Sequence, residues 1–292
     1  MRRFIDLHAH SHASDGQLAP AELVRLAEAK KLAAVSLTDH DTIAGLPEAR
    51  AAAAQLPSLR FINGLELSAI FPAGTLHILA YAFDPQGRSL QALTKQLRAA
   101  RDQRNPKMLA KLQAMGFDIT MEELVALAGL PRQGASQKEQ IVGRPHMALL
   151  LMRKGCVRSV EEAFKKYLGD GRPAYVDKER IAPRAAIGAI HDAGGLAVLA
   201  HPVQLRCENR AQLERVVRQF VRDGIDGIEC YHTDHTPGQT RLYLDLARRF
   251  KLGVTGGSDF HGPARLDARL GRPRVPLAAI PDDFAERLLA GP

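Results

Sequence analysis

The chain has 292 residues, 46% of them hydrophobic and 25% charged, and its 40 Lys and Arg against 32 Asp and Glu leave a formal net charge of +8. That length accommodates one large α/β domain or a barrel carrying an insertion, and no apolar run is long enough to span a bilayer. Cys156, Cys207 and Cys230 stand far apart without a CxxC pair, which excludes a disulfide framework or a thiolate metal site and fits a reducing cytoplasm.

Phe4 to His8 reads as a strand, and the early Asp6 and His8 interrupt any secretory apolar core. Pro20 opens a helix with Leu23, Leu26, Ala27 and Leu32 at helical spacing. Ala33–Thr38 is a second strand, Leu46–Gln55 a helix, and strands follow at Arg60–Asn63, continuing toward Leu67, and at Leu76–Ala82. This alternation predicts parallel strands with helices packed outside. From about Ser89 to Arg172 the pattern turns helical, at Leu90–Met115, Met121–Leu127, Pro145–Arg153 and Val160–Leu168. Here the spacing predicts a cap, residues 99–171, inserted into a barrel formed by 1–98 and 172–292. Alternation then returns: helix Pro183–Ala193, strand Gly195–Ala200, helix Ala211–Arg222, strand Gly227–Cys230, helix Gln239–Phe250 and strand Leu252–Thr255. About seven strands result, the pattern of a (β/α)-barrel relative.

Histidines and carboxylates collect where these strands end, and in a parallel barrel those ends share the face on which active sites are built. In Asp6-Leu7-His8-Ala9-His10, side chains two apart point the same way, so His8 and His10 can enter one coordination sphere. Ser14-Asp15-Gly16 follows; His12 falls in a turn. Thr38-Asp39-His40-Asp41 packs two acids around a histidine, which a ligand role at His40 explains, with Asp39 placed to orient a histidine or to cap. Glu66, between Leu65 and Leu67, is a carboxylate in an apolar run, and it can bridge two cations with one oxygen each. Asp259 and His261 repeat the two-apart geometry beside Gly256, Gly257 and Gly262. His77, in Leu76-His77-Ile78, reads on its own as a core residue, and His201 follows the apolar strand in Ala200-His201-Pro202. These candidates exceed what one metal needs, which implies two or three divalent cations.

Together Asp6–Ser11, Thr38–Asp41, Gly64–Glu66, Ala200–Pro202 and Gly257–His261 resemble the motif series of the PHP (polymerase and histidinol phosphatase) family. The resemblance spans residues 6 to 262. It implies a distorted (β/α)7 barrel of the amidohydrolase-like type and a trinuclear site, and it claims Asp15, His77 and His201 as ligands. One metal would lie near His8, His10, Glu66 and Asp259, a second near Glu66, His77 and His201, and a third near Asp15, His40 and His261. Mixed His and carboxylate ligation suits Mn²⁺, with Fe²⁺ and Zn²⁺ close alternatives. The length, the insertion, Val142–His146, Tyr167–Gly169 with Pro173–Val176, and Tyr231–Thr236 resemble the subgroup of 3′,5′-nucleoside bisphosphate phosphatases and 5′→3′ exoribonucleases.

The implied reaction is phosphate ester hydrolysis by a metal-bound hydroxide, with His235 as candidate acid. A bisphosphate needs a second anion site, for which Arg144, Lys178, Arg206, His235 and the loop residues Arg132 and Lys138 are candidates. The excess positive charge fits a small phosphorylated substrate or short RNA, and equally an inert basic surface. Alternatives are a histidinol-phosphate phosphatase with the same metals and a non-catalytic nucleic-acid-binding or polymerase-accessory module. Deamination or amide hydrolysis on a related barrel is disfavoured by a phosphate-binding cap. Oligomeric state is left open.

Overall fold

The computed structural model describes residues 3–128, 141–263 and 268–290. Eight strands form one sheet: β1 (Phe4–Asp6), β2 (Ala34–Leu37), β3 (Arg60–Ala69), β4 (Leu76–Tyr81), β5 (Leu196–Leu199), β6 (Gly227–His232), β7 (Gly253–Gly257) and β8 (Val275–Pro276). Their order is β7-β6-β5-β4-β3-β2-β1-β8. Beyond β1 the chain turns to the far edge, where Leu7 N donates to Gly256 O (3.1 Å) and His10 N to Phe260 O (2.8 Å). These bonds draw the sheet into a nearly closed, distorted barrel with helices outside. A Cβ on Gly257 would lie 2.4 Å from the backbone N of His8, so only glycine permits this seam.

Among the predicted strands one departs from the all-parallel expectation, and β8, beyond them, also runs antiparallel to its neighbour β1. β4 is antiparallel to both β3 and β5, with Glu66 opposite Leu79 and Ser68 opposite His77. A short hairpin connection from β3 leaves no room for the crossover that a parallel strand requires. His77 therefore stands at the beginning of its strand and still reaches the mouth where the other strands end. β8 and the C-terminal helix Asp282–Ala290, which lie past the last predicted strand, cover the other end through Val275, Phe284 and Leu288.

The main core lies between barrel and outer helices, built from residues such as Leu23, Val35, Leu65, Ile78, Ile190 and Leu246. The first helix begins at Pro20 and buries Leu23, Val24 and Ala27, with Glu22 accepting the Ala19 N–H at 2.8 Å. A second core, from Met108 through Leu112, Leu124, Met147, Leu151 and Leu168 to Ala174, belongs to the helical stretch. The long helix Arg88–Ala114 connects the two: Leu90, Leu93 and Leu97 pack in the first core, Met108, Leu109 and Leu112 in the second. Between them the same helix buries Arg101, Arg104 and Asn105. The predicted helix Val160–Leu168 is α-helical only to Ala163, and Phe164–Leu168 winds as a π-helix. No helix among the described residues is long and apolar enough to cross a membrane.

Candidate metal centre

The nine predicted ligands meet at the barrel mouth, organised around Glu66. Its Oε1 lies 2.7 Å from His77 Nδ1 and 2.9 Å from His201 Nε2. Its Oε2 faces the other way, 2.9 Å from His40 Nδ1, 3.3 Å from His10 Nε2 and 3.4 Å from His8 Nε2. Asp259 Oδ1 approaches His10 Nε2 (3.2 Å) and His8 Nε2 (3.5 Å). Asp15 stands 3.3 Å from His261 Nε2, 3.8 Å from His40 Nε2 and 3.9 Å from His10 Nδ1. Among the described residues, the ligand atoms of His10, Asp15, His40 and His261, of His8, His10 and Glu66, and of His40, Glu66 and His77 each lie within 4.8 Å of one another.

These groups fit divalent cations. His8 Nε2, both ring nitrogens of His10, His40 Nδ1 and Glu66 Oε2 are buried without a hydrogen-bond partner, a costly state that cations would relieve. Burial, then His261, lowers the His10 pKa to about 3, and burial lowers that of His77 to about 4. Both are thus neutral, the ligating form. Burial alone would raise the Glu66 carboxyl, but His40, His77 and His8 hold it well below its usual range. His261 Nδ1 donates to the Asp259 carbonyl at 2.8 Å, leaving Nε2 for Asp15's side.

The surrounding acids act as struts. Asp39 orients no histidine: it is buried and accepts from Ser11 N (2.8 Å), Ser11 Oγ (2.7 Å) and Ser14 Oγ (2.6 Å), shaping the turn that presents Asp15. Asp6 accepts Ser258 N (2.9 Å) and Gly271 N (2.6 Å), tying the first strand to the Asp259 loop. Asp41 Oδ2 accepts from Arg101 Nη2 (2.6 Å) and Nε (2.8 Å) and from Lys178 Nζ (2.7 Å).

Residues 6–169 match the family model of the PHP domain. The chain belongs to the PHP family. It is 36% identical to a 3′,5′-nucleoside bisphosphate phosphatase of Chromobacterium violaceum, over 89% of this chain and 87% of that protein. It is 35% identical to a 5′-3′ exoribonuclease of Haemophilus influenzae, over 90% of this chain and 92% of that protein. The fold superposes on a Bifidobacterium adolescentis protein assigned as a metal-dependent phosphoesterase with a TM-score of 0.85 and 30% identity, covering 99% and 96% of the two chains. The PHP chain described here is accordingly a hydrolase, a metal-dependent phosphoesterase whose His, Asp and Glu groups are able to bind metal.

The substrate-side candidates fare unequally. Lys178 is buried beside the centre on Asp41. Arg144 is turned to Asp170 (2.8 Å) and stacks over Phe164 and Tyr175. Arg206 is exposed at the left-handed end of the turn Pro202–Leu205. Arg132 and Lys138 lie outside the described residues. His235 Nδ1 faces the Cys230 carbonyl at 3.1 Å, and burial, then His232, lowers its pKa to about 4. A carbonyl only accepts, so the proton of the neutral His235 ring sits on Nδ1.

Sequence reasoning missed Glu229, His232, Arg101 and Arg104. Glu229, between Ile228 and Cys230, carries the same signal as Glu66, a carboxylate in an apolar strand. Arg101 and Arg104 continue the buried stripe of their helix, Leu97, Arg101, Arg104, Met108, and charge at such positions marks a polar interior.

Proposed function

We propose that this chain removes the 3′-phosphate from nucleoside 3′,5′-bisphosphates, and that the same centre trims short 5′-phosphorylated RNA. Both substrates place a 5′-phosphate and a 3′-phosphoryl group on either side of one ribose, so one arrangement of anion sites serves both. The relatives named for a bisphosphate phosphatase and for a 5′-3′ exoribonuclease support this pairing.

His8, His10, Glu66 and Asp259 would hold one cation, Glu66, His77 and His201 a second, and Asp15, His40 and His261 a third, with Mn²⁺ suited to these ligands. Such cations supply an activated water and neutralise phosphoryl oxygens.

The observation that carries the substrate reading is the buried basic group beside them. Arg101 and Lys178 share the single carboxylate of Asp41, and Arg104, 5% exposed, has no carboxylate within ion-pair distance among the described residues. Arg104 instead donates to the Asn105 amide oxygen at 2.8 and 3.2 Å. A Cβ on Gly143 would lie 3.7 Å from Arg101 Nη1 and 3.8 Å from Asp15 Oδ2, so the arginine and the candidate ligand flank the same glycine. Buried positive charge in excess of its partners calls for an anion. A 5′-phosphate on Arg101, Arg104 and Lys178 would leave the 3′-phosphoryl group at the metal centre. On this reading the cap expected over residues 99–171 would bring these arginines over a barrel made by 1–98 and 172–292, the described part of the stretch having a second core from Met108 to Ala174.

Release of inorganic phosphate from adenosine 3′,5′-bisphosphate after Mn²⁺ loading, with adenosine 5′-monophosphate as the other product, is the expected result. Faster turnover of histidinol phosphate, which has no second phosphate for the arginines, would overturn the reading.

A further inference from the structure

β6 ends at the centre with two buried side chains, Glu229 and His232, that have no part in the reaction as proposed. Glu229 Oε1 lies 3.0 Å from His8 Nδ1, and Oε2 accepts the His201 backbone N–H at 2.8 Å. A carboxylate only accepts, so the proton of His8 stays on Nδ1 and Nε2 is the nitrogen given up to a cation. Nε2 is indeed the inward atom, 3.4 Å from Glu66 and 3.5 Å from Asp259.

His232 has the reverse arrangement. Its Nδ1 accepts the Asp234 backbone N–H at 3.0 Å, so a lone pair sits there and the neutral ring carries its proton on Nε2. That Nε2 is buried without a hydrogen-bond partner and faces Asp259 Oδ2 at 3.6 Å. The ligand atoms of His8, His232 and Asp259 lie close enough together for a cation site. Yet only one of the two imidazoles turns a lone pair inward; the other turns an N–H.

We infer that Glu229 and His232 are positioning residues of the centre: Glu229 fixes His8 as a ligand through Nε2, while His232, although buried among ligands, is a donor aimed at Asp259 and is not itself a ligand. Asp259 is held at φ 54°, outside the usual backbone range, with Oδ1 3.2 Å from His10 Nε2. An N–H on the Oδ2 side keeps Oδ1 turned to the histidines. The inference rests on the centre holding cations.

The direct test needs no variant. In wild-type protein loaded with Zn²⁺ and ¹⁵N-labelled at histidine, long-range ¹H–¹⁵N spectra should show His8 protonated at Nδ1 with a metal-shifted Nε2, and His232 protonated at Nε2. A metal-shifted Nε2 on His232 would overturn the assignment. By Mn²⁺ titration, Glu229→Gln should weaken one site about 10- to 100-fold, the usual cost of losing a ligand's outer partner. His232→Ala should weaken binding about tenfold and still fill every site at saturation, whereas His232→Gln, which keeps an N–H at the ε position, should restore wild-type affinity. Loss of one equivalent of Mn²⁺ in His232→Ala, or wild-type affinity in Glu229→Gln, would overturn the inference. Wild-type protein that binds no Mn²⁺ would overturn the metal reading beneath it.

Discussion

His77 Nδ1 lies 2.7 Å from Glu66 Oε1, on the side of that carboxylate opposite to His8, His10 and His40. The antiparallel course of β4 makes this possible, because it delivers the first residues of a strand to the mouth that the other strands reach with their last. Glu66 is thus shared by two sets of imidazoles, one on each oxygen.

Glu66→Gln should therefore disturb two cations at once. Outer partners of ligands already cost about 10- to 100-fold, so loss of a shared ligand should lower phosphatase activity by more than roughly 100-fold. Elemental analysis of the purified variant should show fewer Mn²⁺ per chain than the wild type.

Cations that bind only the folded chain stabilise it. At a free concentration a hundredfold above Kd, one site contributes about 2.7 kcal/mol, roughly 5 °C in melting temperature for a chain of this size. Calorimetry with added Mn²⁺ and then with excess chelator should show that rise and its reversal.

Asp41→Asn should destabilise the fold by roughly 3–5 kcal/mol, because Arg101 and Lys178 would be left buried together without their counter-charge. Burial alone would raise the Asp41 carboxyl, but Lys178 and Arg101 hold it far below its ordinary value. Its stabilisation is therefore present above about pH 4, the unfolded pKa, and is lost as pH falls toward the folded value. Urea unfolding from pH 7 to pH 3 should show this loss in the wild type and a shallower slope in the variant.

Arg104→Ala should raise KM for the 3′,5′-bisphosphate by roughly 10-fold or more, the loss of a charge-assisted hydrogen bond. KM for adenosine 3′-monophosphate, which presents nothing to that arginine, should stay within about twofold. Equal effects on both substrates would place the second phosphate elsewhere.

Burial, then Arg101, lowers the Lys178 pKa to about 7. The amine loses its charge as pH rises through that value, so affinity for the distal phosphate should fall on the alkaline side. KM for the bisphosphate should increase roughly tenfold between pH 7 and 9. Lys178→Arg, which stays charged, should flatten that profile.

His8, His10, His40, Glu66, Asp259 and His261 were legible as candidate ligands because they stand in or at the ends of apolar strands, where a lone charge or imidazole is expensive, whereas Asp15, His77 and His201 were picked out only by the family resemblance. Strand direction was not legible at His77: alternation along a strand is the same whichever way it runs. Glu229 was open to reading by the rule that found Glu66, and the strand's continuation to His232 hid its second polar side chain. The arginines were hidden by residue type, since most are solvated, although their 4-3-4 spacing from Leu97 to Met108 continues an interior stripe. Lys178 reaches Asp41 across 137 residues of chain, a pairing no local pattern carries.

The helix Arg88–Ala114 is rooted in both hydrophobic cores, with Arg101 and Arg104 on the span between them. Three residues of helix set these guanidinium anchors about 4.5 Å apart along its axis. Neither can approach the metals without carrying a rod fixed at both ends. On the function proposed above, the helix would act as a gauge, taking a molecule by the distance between its two phosphates.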